Sequence, residues 1–79
     1  MKTKLVLHDC KNYEVTEENP RDFKIGDLFW FSWGGATDVQ EVDSENILAE
    51  VNGTLEDKSA TCIDFSYNFW KCVRKVVNY

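Results

Sequence analysis

Apolar and polar residues alternate in short runs through most of this chain, which is the period-two pattern of half-buried strands. Residues 4–8 put Leu5 and Leu7 on one face and Lys4, Val6 and His8 on the other. A turn over residues 9–12 leads to a second short strand at residues 13–16. The polar run Glu17-Glu18-Asn19-Pro20-Arg21-Asp22 is a loop, because Pro20 biases Asn19 away from helix. Gly26-Asp27 predicts a tight turn in which Gly26 takes positive φ. It opens the strand Leu28-Phe29-Trp30-Phe31-Ser32-Trp33. Phe29, Phe31 and Trp33 face one way, and Leu28, Trp30 and Ser32 the other. One aromatic face makes a core. Two exceed what a half-buried sheet needs, so the surplus points to a binding surface.

Gly34 to Asp38 form a flexible loop, and residues 39–42 a strand. Asp43-Ser44-Glu45-Asn46 is a turn, and residues 47–51 the next strand. Asn52-Gly53 is a favoured two-residue hairpin turn, because both central positions need positive φ. It predicts pairing with residues 54–56. Residues 61–69 alternate again, with Ile63, Phe65, Tyr67 and Phe69 on one face. Helical spacing also fits this region, through Phe65, Phe69, Cys72 and Val76. The β-branched Val73, Val76 and Val77 favour a final strand over residues 70–77, after a turn near Tyr67-Asn68. The expected fold is mostly β: a small single domain built on a strongly bent antiparallel sheet or an SH3-like barrel. The alternative is α+β, with a C-terminal helix over residues 64–77.

The run Phe23-Lys24-Ile25-Gly26-Asp27 followed by an apolar strand resembles the entry to the first long strand of many SH3-like small barrels. That resemblance covers residues 23–33. It implies a bent five- or six-stranded sheet that binds peptides, nucleic acid or proteins through its loops. It implies no activity, because such barrels carry unrelated functions.

Size and charge narrow the picture. Seventy-nine residues make one domain, with three Trp, three Tyr and five Phe to supply core area. The formal charge of −5 is uneven. Residues 25–57 hold eight carboxylates and no Lys or Arg, whereas residues 58–79 are mildly basic. An acidic middle suits a basic protein surface and disfavours direct nucleic-acid binding. Trp70, Lys71, Arg74 and Lys75 remain a local exception. No signal-peptide pattern and no membrane-length apolar run is visible, so the expected location is cytoplasmic. Three cysteines without motif spacing fit thiols in a reducing compartment.

The candidate chemistry is sparse. His8, Cys10, Cys62 and Cys72 lack the close cysteine pairs of a zinc knuckle. His8 and Cys10 sit two apart, but no neighbouring group is placed to orient the ring or to stabilise an oxyanion. Residues 38–46 lack the central Gly of a calcium loop. Gly34-Gly35 lacks the later Lys and Ser/Thr of a phosphate loop. The expectation is a protein with no catalytic residues, no metal and no cofactor.

The aromatic and acidic positions carry the binding expectation. Trp30, Trp33 and Trp70 are candidate anchors, since Trp dominates interface hot spots. Asp38, Glu41, Asp43 and Glu45 are the candidate acidic contacts. The compact, acidic, motif-free format resembles small accessory proteins of phages and mobile elements. That likeness implies an inhibitor that blocks a host nucleic-acid-acting or defence enzyme. A spare aromatic face could equally serve a homodimer. The alternative function is a small-ligand, nucleotide or single-stranded nucleic-acid binder, because aromatics stack nucleobases.

Overall fold

A computed structural model of the protein describes residues 2–55 and 68–78. Five strands form one antiparallel sheet: β1 (Thr3–His8), β2 (Lys11–Thr16), β3 (Leu28–Trp33), β4 (Ala36–Glu41) and β5 (Val73–Asn78). A helix, α1 (Glu45–Asn52), and a 3₁₀ turn (Phe69–Cys72) lie between β4 and β5 in sequence. The spatial order is β1-β2-β5-β3-β4, so the last strand joins two hairpins. No helix among the described residues is long and apolar enough to cross a membrane.

Both hairpins use two-residue turns with positive φ. Asp9 and Cys10 (φ 54° and 63°) connect β1 to β2, and Gly34 and Gly35 (59° and 85°) connect β3 to β4. This hand of turn matches the right-handed twist of the strands. The expected loop at residues 34–38 is therefore shorter, and β4 starts at Ala36. The expected Gly26-Asp27 turn is present. Gly26 has φ 97°, Lys24 N–H donates to Asp27 Oδ2 at 2.9 Å, and Asp27 N–H donates to Lys24 O at 3.0 Å.

The β3 alternation holds. Phe29 and Phe31 are buried with Phe23, Val42, Ile47, Val51, Phe69 and Val73, and Trp33 and Leu48 pack against that cluster. Phe69 is the hub, with its ring edge-on to Phe29, Phe31 and Trp33 at 6.4, 5.1 and 5.8 Å. Edge-to-face pairs of this kind stabilise beyond their buried area. The opposite face of the sheet buries Val15 and Val76, which are paired across β2 and β5.

Residues 47–51 are a helix and not the expected strand. Ser44 caps it, its hydroxyl accepting from Ile47 N–H at 3.2 Å. Ile47 and Val51, one turn apart, are buried together. Glu45 in the first turn favours the positive end of the helix dipole. Asn52-Gly53 does not make a hairpin: Gly53 (φ 70°) ends the helix, and Thr54 N–H bonds back to Ala49 O at 2.9 Å. The same capacity for positive φ serves either structure. Thr54 and Leu55 lie outside any strand. The final strand begins at Val73, so Trp70 sits in the 3₁₀ turn. The alternative C-terminal helix is absent from residues 68–77, and its start at residues 64–67 lies outside the described residues, as does the alternation at residues 61–67.

Candidate functional site

The acidic candidates border one edge of the fold but do not share a face, since Asp38 is paired with Phe31 and Glu41 with Leu28. Asp38 and Glu41 lie on the outer strand β4, Asp43 follows it, and Glu45 opens α1. Glu41, Asp43 and Glu45 are exposed, and Asp38 is half-buried. Asp38 is held by its neighbours. Gln40 Nε2 donates to Oδ2 at 3.0 Å, Val39 N–H donates to Oδ1 at 2.8 Å, and His8 Nε2 lies 3.3 Å from Oδ1. The Gln40 hydrogen bond, followed by that of Val39 and the nearby His8, holds the carboxyl below its usual range against the opposing effect of burial.

His8 also sets the shape of the sheet. Its Nδ1 is 3.4 Å from Thr37 Oγ1, so the end of β1 touches β4 although three strands separate them in the sheet. The sheet is curled, and Trp30 lies on the face enclosed by the curl. Lys4 Nζ stands 5.7 Å from the centre of the Trp30 ring. Trp30 Nε1 is buried and finds no acceptor among the described residues. Trp30 and Trp33 are both half-buried, but only Trp33 packs against the core under α1. The two tryptophans therefore serve opposite faces of β3.

Trp70 stands apart from both, at the C-terminal end of α1. Its ring lies flat on Gly53, where a Cβ would come within 2.9 Å of it. The Arg21 guanidinium covers the ring at 4.5 Å and Lys71 Nζ lies at 5.8 Å. Arg21 Nε also donates to Asn52 O at 3.0 Å, a cation at the negative end of the helix. Asn19 fastens the group, its Nδ2 donating to Val51 O (2.6 Å) and Trp70 O (2.8 Å). A cleft of about 280 Å³ opens here between Glu18, Asn19, Trp70, Lys71 and Arg74. Lys75 is not part of it, because its ammonium is engaged by Asp22 and Asp27 at 3.2 and 3.6 Å.

Of the thiol and imidazole candidates, Cys10 is exposed in the first hairpin turn, Cys72 is half-buried, and Cys62 lies outside the described residues. Three features had no distinguishing signal in the sequence: the Arg21–Trp70 stack, the Asn19 tie, and the exposure of Leu5 and Leu7 (71% and 69%). The alternation of β1 marks the two leucines as sharing a face but not that the face is bare. Comparison with protein-family models, curated proteins and solved structures finds no match to the chain.

Proposed function

We propose that the protein is a non-enzymatic protein-binding module, an inhibitor of the kind that masks a basic functional surface on another protein. The observation that carries this reading is the exposed acidic rim of Glu41, Asp43 and Glu45, which follows β4 into the start of α1, with Asp38 on the other face of the strand. No Lys or Arg occurs between residues 25 and 57 to offset it. Such a rim raises the rate of encounter with a basic partner and loses strength in salt. Trp30 is the anchor beside it: a half-buried indole, next to β4, whose N–H lacks an acceptor among the described residues. An SH3-like mode of loop-mediated protein binding is compatible with this arrangement.

Affinity capture from host lysate tests the reading, with the intact chain run beside Trp30→Ala and a Glu41→Lys/Asp43→Lys/Glu45→Lys variant. The expected result is a protein with a basic surface, retained by the intact chain, lost from both folded variants and released by about 0.5 M salt. Equal capture by all three folded baits would overturn it.

The cleft at Trp70 favours a second reading, a binder of small anionic ligands or single-stranded nucleic acid. Lys71 and Arg74 line it beside an indole. Titration of Trp fluorescence with mononucleotides and a short oligonucleotide at low salt tests this. No change at millimolar ligand excludes it.

A further inference from the structure

The cleft beside Trp70 inverts the sign of the charge around it. Three cations gather there: the Arg21 guanidinium at 4.5 Å and Lys71 Nζ at 5.8 Å from the indole centre, and Arg74 in the cleft wall. Among the described residues none of the three is paired with a carboxylate, in a chain whose formal charge is −5. Lys75, by contrast, is taken by Asp22 and Asp27. Among the described residues that line the cleft, Glu18 alone carries a carboxylate. The geometry is also held in advance. Arg74 Nη1 donates to Lys71 O and to Val73 O, each at 3.0 Å, and Asn19 ties down the backbone of Trp70. Groups fixed in this way lose little freedom when a ligand arrives.

The way Arg74 is held selects the ligand. Both N–H groups of Nη1 are occupied by the two carbonyls, and Nε is buried with no acceptor among the described residues. Nη2 is the nitrogen that remains. Neither of the two-nitrogen edges by which a guanidinium grips a planar carboxylate is therefore open. One guanidinium nitrogen and the Lys71 ammonium suit an anion that accepts from several directions and carries more than one charge. A phosphate monoester does both, with three acceptor oxygens and a charge of about −1.5 to −2 at neutral pH. We infer, on the reading of this cleft as an anion site, that it binds a dianionic phosphate group, free or on a small molecule, with Lys71 and Arg74 as its contacts. Size agrees, since a cleft of about 280 Å³ lies at the small end of ligand pockets. The surroundings disfavour a polymer. Glu18 and Asn19 also line a second cleft of about 560 Å³, together with Glu17 and Lys2. A nucleic-acid strand leaving on that side passes two carboxylates, and each of its phosphodiesters brings a single charge.

Calorimetric titration near neutral pH and in low salt, where screening is weak, tests this. Inorganic phosphate and ribose 5-phosphate are the probes, with acetate, ribose and a short thymidine oligomer lacking a terminal phosphate as comparisons. Both phosphates are expected to bind with a dissociation constant of about 1 mM or lower, and each comparison at least about tenfold more weakly. Tighter binding of ribose 5-phosphate identifies an organic ligand, and equal affinities a site for the phosphate group alone. Lys71→Gln keeps the backbone carbonyl that accepts from Arg74. It is expected to weaken both phosphates at least about fivefold, with an unchanged circular dichroism spectrum. Lys11→Gln removes the same charge in the first hairpin and is expected to leave binding unchanged. Equal losses from the two variants overturn the assignment to this cleft. Acetate or the oligomer binding as tightly as phosphate overturns the phosphate proposal and leaves the anion site standing. No heat from any probe removes both.

Discussion

Gly53 lies against the ring of Trp70, so close that a β-carbon at position 53 would stand 2.9 Å from the indole. The same glycine ends α1 in the left-handed region at φ 70°. Gly53→Ala therefore meets two penalties, one steric and one conformational. The expected cost is about 2 kcal/mol or more, the left-handed conformation alone accounting for about 1–2. Urea unfolding checks it, and a shift in Trp emission should accompany the loss as Trp70 is displaced.

Ser44→Ala removes the hydroxyl that accepts from Ile47 N–H. The expected destabilisation is about 1 kcal/mol, the usual cost of losing such a cap. Ser44→Asp should retain most of the stability, since a carboxylate also accepts from the first turn. Equal losses for both substitutions would show that the cap is not what holds the helix start.

Phe69→Ala should be the most damaging of these changes. Phe69 is 1% exposed, and its ring meets those of Phe29, Phe31 and Trp33. Truncating a buried Phe costs about 3–5 kcal/mol, which approaches the whole stability of many small domains. Far-ultraviolet circular dichroism at 25 °C should show a chain that is largely unfolded. Phe69→Leu keeps most of the volume and should remain folded.

Asp38 gives the protein a signature in acid. Its carboxyl is held low mainly by the Gln40 hydrogen bond. A carboxyl whose folded pKa lies below its unfolded value adds stability above the unfolded value, about 3.9 for Asp, and loses it as pH falls through the folded one. Asp38→Asn should flatten the urea midpoint against pH below about pH 4 and leave the slope near neutrality unchanged. An acid limb as steep as that of the wild type would show that other carboxylates set it.

Much of the sheet is legible in the sequence because period two is a local signal. The faces of β3 and the Gly26-Asp27 turn follow from residues in contact with their neighbours along the chain. The helix was misread where two periods coincide. Ile47, Ala49 and Val51 satisfy a strand, and Ile47 and Val51 also satisfy a helix turn. Ser44 decided between them, and its capping role depends on a backbone geometry that spacing alone does not reveal. The turn at Asp9 and Cys10 is legible as a break between strands, but its positive φ is not, since neither residue is a glycine. At the candidate site, the acidic rim could be read as a list of charges. That Asp38 lies on the other face from Glu41 follows from the register of β4 against β3. The place of Trp70, against Gly53 at the C-terminal end of α1, depends on how that helix packs. No local pattern states which strands become neighbours, so the meeting of β1 with β4 at His8 and the cleft beside Trp70 appear only once the chain is folded.

The place of β5 between the two hairpins has a consequence for the order of folding. Each hairpin can close from local contacts, but an isolated hairpin is marginal in water. The two halves are joined in the sheet only through β5, which pairs with Glu14 and Val15 on one side and with Phe29, Trp30 and Phe31 on the other. Synthesis delivers the residues of both hairpins before those of the strand that unites them. Closure is then a single late event of high sequence separation, slow compared with hairpin formation. Until it occurs, the inner edges of β2 and β3 stay open to strands from other molecules.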